Sequence, residues 1–136
     1  MIELEKLNNK KAKRRVKENL DLLLKGDHSL KSIFEISFSR ESFTLFNVVK
    51  NNSLKEITYG EAKDKILRFA AFFKKNISSD EKYVGLLLEN SPEWIYSLYG
   101  LLMAGFTPVL LSTKEKVINN IKIMKDLHSS TFVTDL

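Results

Sequence analysis

The sequence predicts an α/β protein: a parallel β-α-β-α-β unit over residues 83–135, preceded by helices and a β-hairpin. Three observations predict it. Tyr83–Leu88 is a continuous apolar run, the pattern of a strand buried on both faces. Ser91-Pro92 opens the next segment with a cap residue and a proline at the first helical position, and Gly105 closes it. Two short apolar stretches, Thr107–Leu111 and Thr131–Thr134, then flank a segment with helical spacing at Val117, Ile121, Met124 and Leu127. Such an alternation winds right-handed into a parallel sheet.

From the start of the chain, residues 3–25 have the spacing of a helix, with Leu4, Leu7, Ala12, Val16, Leu20, Leu23 and Leu24 on one side and Gly26 as a stop. Ser29 is placed to cap a short second helix carrying Leu30, Ile33 and Phe34. Phe43–Val49 is aromatic and β-branched. Asn51-Asn52-Ser53 signals a turn, and Leu54–Ile57 returns as a second strand, which gives a hairpin with a loop of about four residues. Thr58-Tyr59-Gly60-Glu61 spells a capping box. The helix it opens puts Ala62, Ile66, Phe69, Ala70 and Phe73 on one stripe and ends near Asn76 and Ser78. Ser112 and Glu115 have the spacing of a further capping box before the last helix.

Trp94 through Thr113 is a run of 20 residues without a charge, long enough for a membrane helix. Gly105 and Pro108 break it, so a helix to residue 104 followed by a short strand is expected instead.

The composition is that of a soluble globular domain, 43% hydrophobic and 29% charged. The absence of cysteine excludes disulfides and thiolate metal sites and suits a reducing cytoplasm, the expected location. The net charge of +5 is uneven. Residues 1–26 hold eight Lys/Arg against four acids, a net +4. The expected organisation is therefore a basic N-terminal helix, 1–28, and a compact remainder, 29–136.

Chemistry-bearing patterns are sparse. Gly26, Gly60, Gly85, Gly100 and Gly105 are too far apart in sequence to make a phosphate cradle, and neither a Walker motif nor a dinucleotide fingerprint occurs. His28 and His128 fall at a helix start and a helix end, where His128 suits the helix dipole better than a ligand or base role. Metal-ligand spacing and a hydrolase serine elbow are absent. Asp80-Glu81 has the look of a solvated turn. Any polar site in a parallel sheet belongs beyond the carboxyl ends of its strands, which names Glu89, Asn90, Ser112, Thr113 and Asp135. These residue types also serve as caps and loop residues. No catalytic, cofactor-binding or metal residue is assigned.

Three segments resemble the adenylate-forming (AMP-binding) acyl-CoA and aryl-CoA ligase family. Ile57-Thr58-Tyr59-Gly60-Glu61-Ala62 is similar to its first core motif, with Ala62 in place of leucine. Val84–Glu93, containing Asn90-Ser91-Pro92-Glu93, is similar to the strand-to-helix segment that follows. Leu102–Leu111 is similar to the second core motif, with Met103 where the family has lysine and Pro108 earlier than usual. The resemblance covers residues 29–136 and implies an incomplete piece of the family's larger N-terminal domain.

What the resemblance implies is an enzyme that joins a carboxylate to ATP, releases pyrophosphate and passes the acyl group from AMP to a thiol. ATP, magnesium and CoA or another thiol are implied for the parent family. Its Ser/Thr/Gly-rich phosphate loop, its magnesium-orienting acid and its mobile C-terminal domain are expected beyond residue 136. The chain is expected to act as a structural part, inactive alone and without cofactor of its own, with the remainder of the ligase as partner. The alternative is a stand-alone interaction or nucleic-acid-binding module using Lys10–Lys17. Glu3, Glu5, Glu18 and Asp21 share that helix and no aromatic residue stands there to stack on bases, so nucleic acid is not the expected partner.

Overall fold

The computed structural model describes residues 10–50 and 52–135. The part of the first helix expected over residues 3–9 lies outside the described residues. The chain divides into two compact units, Met1–Arg40 and Glu41–Leu136.

The first unit carries α1 (Lys10–Lys25) and α2 (Leu30–Ser37). Gly26 ends α1, its amide donating to the Leu23 carbonyl at 3.4 Å. Ser29 caps α2 as expected, its hydroxyl accepting from the Ser32 amide at 3.1 Å. Asp27 reinforces that start by accepting from the Ser29 amide at 2.9 Å. Hydrogen bonds from Ser32 and then Ser29 hold the Asp27 carboxyl down at about 2. Phe34 and Phe38, one turn apart, are buried with ring centroids 4.6 Å apart.

The second unit opens with the hairpin, β1 (Thr44–Lys50) and β2 (Ser53–Thr58), paired antiparallel. Its register closes at Lys50↔Ser53, so the loop is two residues rather than about four. Asn52 takes φ +57°, a left-handed conformation asparagine tolerates, and this allows the tighter turn. The capping box forms in full: the Glu61 amide donates to Thr58 Oγ1 at 3.1 Å and the Thr58 amide to Glu61 Oε2 at 2.8 Å. It starts α3 (Tyr59–Asn76), which buries Ala62, Ile66 and Phe73 from the expected stripe.

β3 (Tyr83–Leu87), α4 (Pro92–Ala104), β4 (Thr107–Leu110), α5 (Val117–Asp126) and β5 (Phe132–Thr134) follow in the expected order. The three strands form a parallel sheet ordered β4-β3-β5. Alternate residues of β3 serve opposite faces. Val84 joins Phe73 of α3 and Leu101 of α4 in the core, whereas Gly85 faces Met124 of α5. Helices α3 and α4 thus cover one face and α5 the other. Each large apolar side chain buried here contributes about 2 kcal/mol.

α4 forms as read, with Ser91 accepting from the Trp94 amide at 3.2 Å and Gly105 at φ +95°. None of the described helices is long and apolar enough to cross a membrane. α5 departs from expectation. Ser112 spends its hydroxyl on the Lys114 amide, in a turn closed by Glu115 N to Ser112 O at 3.3 Å. The Glu115 carboxylate accepts from Asn119 Nδ2 instead of completing a box, and the helix begins later, after Lys116. Val117, the first residue of the apolar spacing, is 67% exposed, and Asn120 is buried. At the far end of α5, His128 adopts φ +53°. His128 N donates to Lys125 O at 2.9 Å and Ser129 N to Met124 O at 3.0 Å, so the histidine occupies a backbone position usually given to glycine.

Asp80-Glu81 is only half solvated. Glu81 is partly buried and receives hydrogen bonds from Ser129 Oγ at 2.9 Å and Thr131 Oγ1 at 2.9 Å, tying the loop before β3 to the loop before β5.

Candidate functional site

β3 and β4 are neighbours, yet the chain leaves them for opposite faces, β3 towards α4 and β4 towards α5. A parallel sheet opens a crevice at such a point. Here it is a cleft of 420 Å³ lined by Leu88, Glu89, Asn90, Trp94 and Leu110–Lys114. Four of the five residues named from the strand ends, Glu89, Asn90, Ser112 and Thr113, therefore meet in one place. Thr113 Oγ1 donates to Glu89 Oε1 at 2.5 Å, joining the two loops across the cleft mouth. Asp135 is not with them. It follows β5, which pairs on the other side of β3.

Three contributors were missed. Trp94 stands in the first turn of α4 and supplies the aromatic wall. Lys114 adds a positive charge to the lining. Asn120, 3% exposed, donates from Nδ2 to the Ser112 carbonyl at 2.9 Å and fixes the loop from below. Its signal in the sequence was a lone amide on the buried stripe of α5.

The cleft can hold a small polar group by hydrogen bonds. Its hydroxyl–carboxylate pair, Thr113 on Glu89, bridges the two loops, and among the described residues no cluster of three His, Asp or Glu could hold a metal ion. Nor do its residues fit a triphosphate, which needs closely spaced amides on a glycine-rich turn. The glycines are committed elsewhere. A Cβ on Gly85 would stand 2.9 Å from both Leu111 Cδ1 and Phe132 Cδ1, and one on Gly100 would stand 2.9 Å from Phe69 Cβ. A Cβ on Gly60 would stand 2.9 Å from Glu41 Cβ, and Gly26 and Gly105 end helices.

On the basic helix, Glu18 accepts from Arg14 at 2.7 Å and from Arg40 at 3.4 Å. The Arg14 hydrogen bond holds the Glu18 carboxyl below its usual range. Two of the arginines available to a nucleic-acid backbone are thus partly neutralised.

Comparison with known proteins settles the parentage. The family model described as AMP-binding enzyme matches residues 41–135, well over half of the chain. The chain belongs to the AMP-binding enzyme family. The matched stretch coincides with the second compact unit and contains all three sequence motifs. Among solved structures, the N-terminal subdomain of Klebsiella oxytoca NpsA is 20% identical with a TM-score of 0.67, covering 79% of this chain and 27% of that one. The O-succinylbenzoate coenzyme A synthetase of Bacillus subtilis, in complex with AMP, is 23% identical with a TM-score of 0.55, covering 60% of this chain and 21% of that one. At these identities the likeness shows the fold. The chain thus spans roughly a quarter of the structures it matches. No curated protein matches it. Within this AMP-binding unit the family motifs act as helix starts and stops: Thr58 and Glu61 begin α3, Ser91 and Pro92 begin α4, and Gly105 ends it.

Proposed function

We propose that this chain is the N-terminal β-α-β-α-β portion of an ATP-dependent acyl-adenylating ligase, and that it is a structural part without activity of its own. The whole enzyme converts a carboxylate and ATP to an acyl-adenylate and pyrophosphate, then transfers the acyl group to a thiol such as that of CoA, with release of AMP. The observation that carries this reading is the coincidence of the family match, residues 41–135, with a self-contained compact unit. The commitment of all five glycines to packing or helix ends supports the second half, because the grip on the phosphates then has to come from another part of the enzyme.

The test is ATP–pyrophosphate exchange across a panel of carboxylic acids. The chain alone is expected to show background exchange, and exchange above a heat-treated control overturns the inactivity. A chimera tests the positive half: residues 41–135 replace the matching stretch of the Bacillus synthetase. Exchange dependent on o-succinylbenzoate is expected, and a folded chimera without it counts against the ligase reading.

A further inference from the structure

The family match begins at residue 41, so α1 lies outside it. The 16 residues of α1 carry seven Lys/Arg against two acids. Side chains four apart lie along one row of a helix, and in α1 exposure sorts by row. Arg15, Asn19 and Leu23 are half-buried, and this is the row α1 uses to pack on α2. Val16, Leu20 and Leu24 form the adjoining row and are 53%, 50% and 65% exposed. Lys13, Lys17, Asp21 and Lys25 form the next row and are exposed as well. Arg14, Glu18 and Leu22 complete the circuit, with Glu18 held by Arg14 at 2.7 Å. α1 therefore turns to solvent an aliphatic strip edged by lysines.

Single exposed aliphatics are ordinary, but three in one row are not scattered. Leu30 and Ile33, close to one turn apart on α2, add to the apolar surface of the same unit. Charge selects what covers the strip. None of the ion pairs among the described residues uses Lys13, Lys17 or Lys25. A second copy of the chain would set the same cations against them, and like charges repel. A nucleic acid would meet the lysines and leave Val16, Leu20 and Leu24 in water. An anionic bilayer satisfies both rows at once: the aliphatic side chains enter the acyl boundary, and the lysine stems lie along it with their ammonium groups among the headgroups. α1 is not long and apolar enough to cross a membrane, so it would lie in the plane of the interface.

We propose that α1 is an interfacial helix that holds the chain on an anionic lipid bilayer, with Val16, Leu20 and Leu24 immersed and Lys13, Lys17 and Lys25 paired with lipid headgroups. Lipid binding by α1 is independent of the ligase reading, because the helix lies outside the family match.

The test is co-sedimentation of the full chain with vesicles of phosphatidylcholine alone or mixed with an equal part of phosphatidylglycerol. Binding to the mixed vesicles is expected to be at least about tenfold tighter and to weaken on raising the salt to about 1 M. Leu20→Ser and Leu24→Ser together should weaken it at least about tenfold and leave the unfolding midpoint unchanged, because both side chains are exposed in the free chain. The chain has no cysteine, so Leu20→Cys and Leu22→Cys can each carry one polarity-sensitive dye in an otherwise unaltered helix. Mixed vesicles should shift the emission to the blue at position 20 and leave it in place at position 22. Equal binding to the two vesicle types, full binding by the serine pair, equal dye shifts at the two positions, or no binding overturns the proposal. So does a dimer in sedimentation that the serine pair abolishes, since the occupant is then a second copy. Capture of duplex DNA without capture by vesicles overturns it in favour of a nucleic acid.

Discussion

Alanine at Gly100 and alanine at Ser97 should move stability in opposite directions, although the two residues sit one turn apart on the same face of α4. Both are buried. At Gly100 α4 lies tight against α3: an added methyl would meet Phe69 Cβ at 2.9 Å, the Ala70 nitrogen at 3.3 Å and Phe73 Cε2 at 3.3 Å. The nearest of these is a Cβ fixed to its own backbone, so the helices have to part. Overpacking of this kind costs about 1–3 kcal/mol, against a gain of about 1 kcal/mol in helix propensity. The net expectation for Gly100→Ala is a loss of about 1 kcal/mol, and for Gly100→Val about 3 kcal/mol. Ser97 is the reverse case. Its hydroxyl is buried without a hydrogen-bond partner. Removing an unsatisfied polar group recovers about 1–3 kcal/mol, with a few tenths more from propensity. Ser97→Ala should therefore stabilise by about 1 kcal/mol or more. Urea unfolding at constant m-value is the assay, with about 3 °C of thermal midpoint expected per kcal/mol. A Gly100→Ala protein as stable as the parent, or a Ser97→Ala protein less stable, would refute the close-packed α3–α4 interface.

Asn120→Ala should lower stability by about 1–3 kcal/mol, because it leaves the Ser112 carbonyl without its buried donor, and amide exchange should rise at residues 112–115; unchanged exchange there would remove Asn120 from its supporting role. Thr58→Ala should cost about 1 kcal/mol through the lost cap of α3, read by thermal unfolding. The hydrogen bond from the Thr58 amide holds the Glu61 carboxyl below its ordinary 4.5 in the folded chain. A depressed folded value gives stability that is present above the unfolded value and lost as pH falls. Unfolding midpoints should thus decline below about pH 4.5, and Glu61→Ala should flatten that decline; an equal slope in the two proteins would contradict it.

The regular elements were legible because their causes are local. The cap and proline at Ser91-Pro92, the stop at Gly105 and the capping box at Thr58 each act within a few residues, and each appears where the sequence placed it. The misjudged details have competing local solutions. Ser112 had two amides within reach and took that of Lys114, which delayed α5. Asn52 could leave the ordinary backbone region, which shortened the hairpin loop. The cleft was half legible. The strand-end rule named Glu89, Asn90, Ser112 and Thr113, but it named Asp135 too, because strand order depends on non-local pairing that the sequence does not display. Trp94, Lys114 and Asn120 escaped for a similar reason, since their roles depend on groups that only the folded chain brings near.

Calorimetric titration of the chain with ATP, with and without magnesium, tests the central claim most directly. With every glycine already occupied by packing or a helix end, no saturable heat is expected up to about 1 mM nucleotide. Saturable binding tighter than that would show that these residues grip a triphosphate after all, and the chain could no longer be regarded as scaffold alone.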